Sequence, residues 1–95
     1  MPKKLRFSTS LPIDILREGD SFIAYCPVLD LPVAGKTYED AVGKFSCVAQ
    51  AFLDEMNTAG TLNDYLAEMG WQKKQDRWLP PELVGHTEQV ITQPR

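Results

Sequence analysis

The sequence predicts a small α+β domain, in which one long helix packs across an antiparallel sheet of three or four strands. Two observations lead to this prediction. Residues 11–36 contain three short strand-forming segments separated by turn residues, and residues 37–60 carry apolar side chains at helical spacing. Because a chain of 95 residues has room for one hydrophobic core, both parts belong to a single domain.

Three strands are expected before the helix. In residues 11–16 apolar side chains alternate with other residues, which is typical of a half-buried strand. Pro12 has no backbone N–H and therefore places this strand at a sheet edge. Gly19 permits a tight turn into a second strand at residues 22–26, and residues 33–36 are the third.

The long helix has a clear beginning. Thr37 is a good N-cap residue, and Asp40 follows three positions later, where its carboxylate can reach back to free amides. Gly43 costs up to about 1 kcal/mol relative to alanine inside a helix, so we expect a strand or another chain to approach closely there. The apolar stripe that should cover the sheet comprises Ala41, Phe45, Val48, Phe52 and Met56, widened by Val42 and Ala49.

Smaller elements follow the long helix. Thr61 is a second candidate N-cap, and Gly70 is the expected end of a short helix. The pattern of residues 71–79 predicts a hairpin, and the two prolines that follow end the regular secondary structure. We therefore expect a domain over residues 1–82 and a tail over 83–95 that adds a strand to this chain or to a partner.

Composition and charge narrow the classes of function. Thirteen acidic and ten basic residues give a net charge of −3, which opposes a role in coating nucleic acid and suits a basic partner. No segment has the length of a signal peptide's apolar region or of a membrane span. Cys26 and Cys47 lack the neighbours of a metal site. Reduced thiols in a cytoplasmic protein are the expectation.

Catalytic patterns are absent from the sequence. His86 is the single histidine and lies in the irregular tail, where a lone histidine is more often solvent-exposed than catalytic. Asp14 and Asp20 are candidate acids by residue type alone, and Asp40 already has a structural role at a helix start. No phosphate-binding loop or metal-ligand spacing occurs. The sequence thus predicts a protein that is not an enzyme, with no catalytic residues, no metal and no cofactor.

Two segments are candidates for binding. Leu29 and Leu31 lie between two prolines, where they either form an exposed contact surface or pack beneath the helix end. Trp71 and Trp78 flank a small basic cluster. They either close one end of the core, which is the favoured interpretation, or stack on single-stranded nucleic acid. The basic cluster comprises Lys73, Lys74 and Arg77.

A series of short motifs runs through about four-fifths of the chain. These are Glu18-Gly19-Asp20, Phe22-Ile23-Ala24-Tyr25, Pro27-Val28-Leu29-Asp30-Leu31-Pro32, Gly35-Lys36-Thr37, Tyr38-Glu39-Asp40-Ala41, Thr61-Leu62, Met69-Gly70-Trp71 and Trp78-Leu79-Pro80-Pro81. In their order and spacing these motifs resemble the HicB antitoxin family, the partner half of the HicA–HicB toxin–antitoxin pairs.

The resemblance implies a partial RNase H-like fold and a protein that binds and blocks a small basic ribonuclease, a HicA-like toxin. The acidic balance of this chain fits such a partner. An edge strand beside an amphipathic helix also favours a homodimer or a larger homo-oligomer. The predicted partner-binding residues are Leu29, Asp30, Leu31, Pro32, Trp71 and Trp78.

The chain departs from the family pattern at two places. Val33 follows Pro32 where glycine is common, and after Pro81 no segment has the size of a three-helix DNA-binding unit. No DNA binding is therefore expected. The alternatives are an orphan assembly domain, a single-stranded RNA-binding module that uses the tryptophans, and an enzyme that uses Asp14 and neighbouring acids.

Overall fold

A computed structural model describes residues 10–94 and confirms the α+β architecture. Strands β1, β2 and β3 form one antiparallel sheet in that order, and β4 and β5 form a separate hairpin. The long helix α1 packs mainly on β3 and β2, and α2 packs on α1. The elements are β1 (Asp14–Glu18), β2 (Ser21–Cys26), β3 (Leu31–Gly35), α1 (Tyr38–Ala59), α2 (Leu62–Glu68), β4 (Gln72–Lys74) and β5 (Arg77–Leu79).

Two strand boundaries differ from those expected. β1 begins at Asp14, although Leu11 and Ile13 just before it still pack against the core. β3 begins at Leu31, two residues earlier than the sequence predicted, because Leu31 pairs with Cys26 across the sheet. The proline-bracketed connector is therefore reduced to a turn of four residues, 27–30, between two hydrogen-bonded strands.

The start of α1 is capped as predicted. The Thr37 hydroxyl accepts a hydrogen bond from the Asp40 amide at 3.0 Å, and the Asp40 carboxylate accepts one from the Lys36 amide at 2.9 Å. Lys44 is 3.2 Å from the same carboxylate. The Lys36 amide, followed by the Lys44 ammonium, lowers the pKa of Asp40 below its ordinary value.

The buried face of α1 is rotated from the expected stripe. Val48 and Val42 lie at its flanks and remain 41% and 42% exposed. Leu53 was not in the expected stripe and is buried. The fully covered positions recur every four residues and are Ala41, Phe45, Ala49 and Leu53.

Close approach occurs at a different glycine from the one expected. A Cβ on Gly35 would lie 2.4 Å from the backbone nitrogen of Ala41, so the first turn of α1 rests directly on β3. Apart from its chain neighbours and the backbone of its own helix, no described atom lies within 4 Å of a Cβ built on Gly43. The strand approach expected at Gly43 is therefore wrong and occurs at Gly35, whereas approach of another chain to Gly43 stays a prediction.

Both helices end at a glycine with positive φ. At Gly60 (φ 79°) the Thr61 amide bonds to the Met56 carbonyl at 2.9 Å, and at Gly70 (φ 91°) the chain reverses similarly. Thr61 is the N-cap residue of α2, as the sequence predicted, but it adopts φ −105° and its side chain makes no cap hydrogen bond. The Thr61 hydroxyl instead contacts the end of α1, 3.5 Å from the Met56 carbonyl.

The tail carries no helix or strand over residues 80–94. In the described part of residues 83–95 the tail therefore adds no strand to its own chain, and its addition to a partner stays a prediction. Its apolar side chains are exposed, including Val90 at 93% and Ile91 at 82%.

Candidate functional site

Half of the predicted contact residues are buried in the core. Leu29 is fully buried, and only 9% of the surface of Leu31 and 4% of that of Trp71 are exposed to solvent. Of the two alternatives for the connector, the structure therefore has the one in which both leucines pack inward. In this conformation the three side chains are not available to a partner at the surface.

The connector and the tryptophan segment lie against each other. The Trp71 indole Nε1 donates to the Val28 carbonyl at 2.7 Å, and the Tyr65 hydroxyl donates to the Leu29 carbonyl. These bonds satisfy carbonyl groups of the turn that would otherwise lack partners near the core. This geometry agrees with the favoured interpretation of Trp71, in which its side chain closes one end of the core.

Trp78 occupies an intermediate position. It is half-buried, its Nε1 donates to the Asn63 side chain at 3.1 Å, and the Lys73 ammonium lies 5.8 Å from the ring centre. A platform for single-stranded nucleic acid needs exposed ring faces on which bases stack. Trp71 offers none, and Lys73 occupies a face of Trp78. The pair of tryptophans therefore does not form such a platform here.

The other two predicted residues are exposed. Asp30 ends the turn with φ 51°, a left-handed conformation that aspartate tolerates better than most residues. Its carboxylate accepts a hydrogen bond of 2.7 Å from the Tyr25 hydroxyl. This bond, together with the nearby negative charge, raises the pKa of Tyr25 above its ordinary value. Pro32 pairs with Tyr25 across the sheet and is also exposed.

These residues belong to a larger surface, the outer face of the three-stranded sheet, opposite α1. Leu16, Ile23 and Ala34 lie directly opposite one another on β1, β2 and β3 and form an apolar row. Leu16 is 53% exposed. Asp14, Tyr25 and Pro32 form the next row. We call this surface the outer-face patch; it comprises Asp14, Leu16, Glu18, Ile23, Tyr25, Asp30, Pro32 and Ala34.

The outer-face patch has an acidic border. The carboxylates of Asp14 and Glu18 lie on its edge strand, and Asp30 lies at the turn between β2 and β3. Sequence reasoning missed Leu16, Ile23 and Tyr25. The available signal was the pair Ile15-Leu16, since adjacent apolar residues on a strand face opposite sides and one of them must leave the core.

The described residues do not assemble a metal site. No group of three or more histidine, cysteine or acidic side chains in residues 10–94 could hold a metal ion. Burial raises the pKa of the Cys26 thiol, which favours its neutral form. The candidate acids Asp14 and Asp20 lie on the exposed surface at the edge strand and in the β1–β2 turn. Within that same part of the chain, no helix is long and apolar enough to cross a membrane.

Comparisons with protein-family models, with curated proteins and with solved structures gave no match. The likeness to the HicB family is therefore carried by the sequence motifs alone.

Proposed function

We propose that this chain is a HicB-like, antitoxin-type protein that binds and inhibits a small basic ribonuclease, a HicA-like toxin, in the cytoplasm. The protein acts by covering its partner and needs no catalytic residue, metal or cofactor of its own. The contact surface we assign is the outer-face patch, which contains the exposed members of the predicted set, Asp30 and Pro32. The observation that carries the proposal is the apolar row within an acidic border.

The chemistry of the patch matches that of a protein interface. Interfaces combine an apolar centre with a polar rim. Here Leu16 and Ile23 are the centre, and Asp14, Glu18 and Asp30 are the rim. A negative rim on a chain of net charge −3 attracts a basic partner, accelerates the encounter and disfavours acidic proteins.

The turn that presents Asp30 is held in place from inside the fold. Tyr65 and Trp71 bond to the two carbonyls that precede Asp30, and Tyr25 holds its carboxylate. A surface that is already ordered loses less conformational entropy when it binds. The buried residues of the predicted set thus support the exposed ones, and Leu29, Leu31 and Trp71 affect binding through the shape of this turn.

The test uses the product of the neighbouring reading frame, which we expect to be a short basic ribonuclease. The two proteins are co-purified, and RNA cleavage by the partner is measured alone and in the complex. A stable complex with suppressed cleavage supports the proposal. A partner that does not bind, or that cleaves RNA equally well in the complex, contradicts it. Salt-dependent RNA binding by this chain alone would instead support the RNA-binding module.

The site is tested with Leu16→Lys, which removes an apolar contact and opposes a basic partner. We expect the dissociation constant to rise at least about tenfold, equivalent to ~1.4 kcal/mol. Val48→Lys is the matched control, because Val48 is similarly exposed at 41% but lies on α1. Equal affinities for the two variants would place the interface elsewhere on the molecule.

A further inference from the structure

A groove separates β1 from α1. Because α1 lies over β3 and β2, the inner side of β1 is left partly uncovered. Two adjoining cavities of about 260 and 310 Å³ open there. Ile13 and Phe45 line both; Ile15 and Val42 close one end, and Leu11 and Leu53 close the other. The groove is thus mainly apolar, with Ser46 lining both cavities and Tyr38 and Gln50 at its two ends.

The edge of the sheet beside this groove is free. β1 pairs only with β2 among the described strands, so its other side presents unpaired backbone groups. Ile15 faces the groove, and Leu16 faces the outer side of the sheet. The opposite edge is less suited to another strand, because Pro32 in β3 lacks a donor and α1 already covers the inner side of β3.

The tail supplies a segment that fits this edge. Residues 88–92 read Glu-Gln-Val-Ile-Thr, which favours a strand. Val90 and Ile91 are 93% and 82% exposed, although such side chains are usually buried. As neighbours in a strand they would face opposite sides of a sheet. The edge strand β1 is apolar on both sides in the same way, through Ile15 and Leu16.

We propose that residues 88–92 of a second copy of this chain add as a strand along the free edge of β1, so that two copies exchange tails and form a dimer. One of Val90 and Ile91 enters the groove, and the other lies beside Leu16. The occupant is a second copy because the tail leaves its own domain with these side chains in solvent. Twofold symmetry lets each chain donate one tail and accept one, so that neither edge stays open.

This inference does not depend on the proposed toxin. The exchanged strand covers the edge and the groove, and it places one more apolar residue at the border of the outer-face patch. If the chain dimerises but inhibits no ribonuclease, the tail exchange is still supported and the proposed function is not. If the chain inhibits a ribonuclease as a monomer, the proposed function is supported and the tail exchange is not.

The experiment measures the mass of the full chain in solution by light scattering over a range of concentrations, together with that of Ile91→Asp. We expect a dimer for the wild type and at least a tenfold rise in its dissociation constant for the variant. Val84→Asp is the matched control, because Val84 is 90% exposed in the tail but lies outside the pairing segment. It should leave the dimer unchanged. Neither substitution touches the core, so both variants should fold.

Amide hydrogen exchange of residues 88–92 shows whether the tail pairs with a second copy or docks on its own chain. Protection that disappears on dilution into the monomer supports the proposal. Protection that persists in a monomer would show that the tail docks on its own chain and would overturn it. A wild type that stays monomeric at every concentration, or a dimer that Ile91→Asp leaves intact, would overturn it as well.

Discussion

The contact between β3 and the first turn of α1 can be probed by adding one methyl group at Gly35. In Gly35→Ala the new Cβ would lie 2.4 Å from the nitrogen and 2.7 Å from the Cα of Ala41. Ordinary contacts between carbon atoms are about 3.5–4.0 Å, so the helix must move by about 1 Å. The atoms in the way are backbone and cannot change rotamer to make room.

The cost of this movement can be estimated. Overpacking typically costs about 1–3 kcal/mol. We expect a value near 3 kcal/mol, because the cap bonds of Thr37 and Asp40 anchor the turn that must move and because Phe45 would be lifted from the core. For a domain of this size the melting temperature should fall by roughly 12–24 °C.

Gly43→Ala is the matched control, since it adds the same methyl group to open space on α1. It should raise stability by up to about 1 kcal/mol and the melting temperature by roughly 4–8 °C. The two variants are compared by thermal denaturation followed by circular dichroism. A Gly35→Ala protein that melts like the wild type would refute the close packing of α1 on β3. A destabilised Gly43→Ala protein would show that another chain approaches Gly43 in solution.

Two further predictions concern the turn and the helix cap. Leu31→Ala should lower the free energy of unfolding by about 2–5 kcal/mol, because Leu31 is buried. Asp30→Asn keeps a residue that tolerates positive φ and should change the free energy of unfolding by less than ~1 kcal/mol. Equal urea midpoints for the two variants would show that Leu31 lies at the surface. The second prediction concerns pH. Because folding lowers the pKa of Asp40, the stability from its carboxylate is present above the unfolded-state pKa and is lost as pH falls through the folded-state value. Asp40→Asn should therefore lose less stability than the wild type between about pH 6 and pH 3, and identical losses in urea denaturation would contradict this.

The parts of the fold that were predicted correctly depend on neighbours in the sequence. The β1–β2 turn at Gly19, the cap of α1 by Thr37 and the reversal at Gly70 each involve only a few consecutive residues. Their geometry is set by backbone conformation and short-range hydrogen bonds. Such features can be recognised before the rest of the chain is placed.

The burial that the sequence left open or predicted wrongly depends on distant residues. Leu29 and Leu31 were open to two interpretations because the groups that enclose their turn come much later in the chain. Tyr65 bonds to Leu29 across 36 positions, and Trp71 bonds to Val28 across 43. The buried face of α1 contains Leu53 and is rotated from the expected stripe. Its position likewise depends on which elements pack against the helix.

The sequence by itself determined the kind and order of the secondary-structure elements, the main caps and turns, and the net negative charge. Only the tertiary structure decided which apolar residues are buried. The physical reason is that a pattern of apolar residues shows which faces can leave water, whereas burial depends on the element that packs against each face. The packing of α1 over β3 and β2 buries Leu31 and opens the groove beside β1, whereas Leu16 is exposed because it faces the side of the sheet opposite α1.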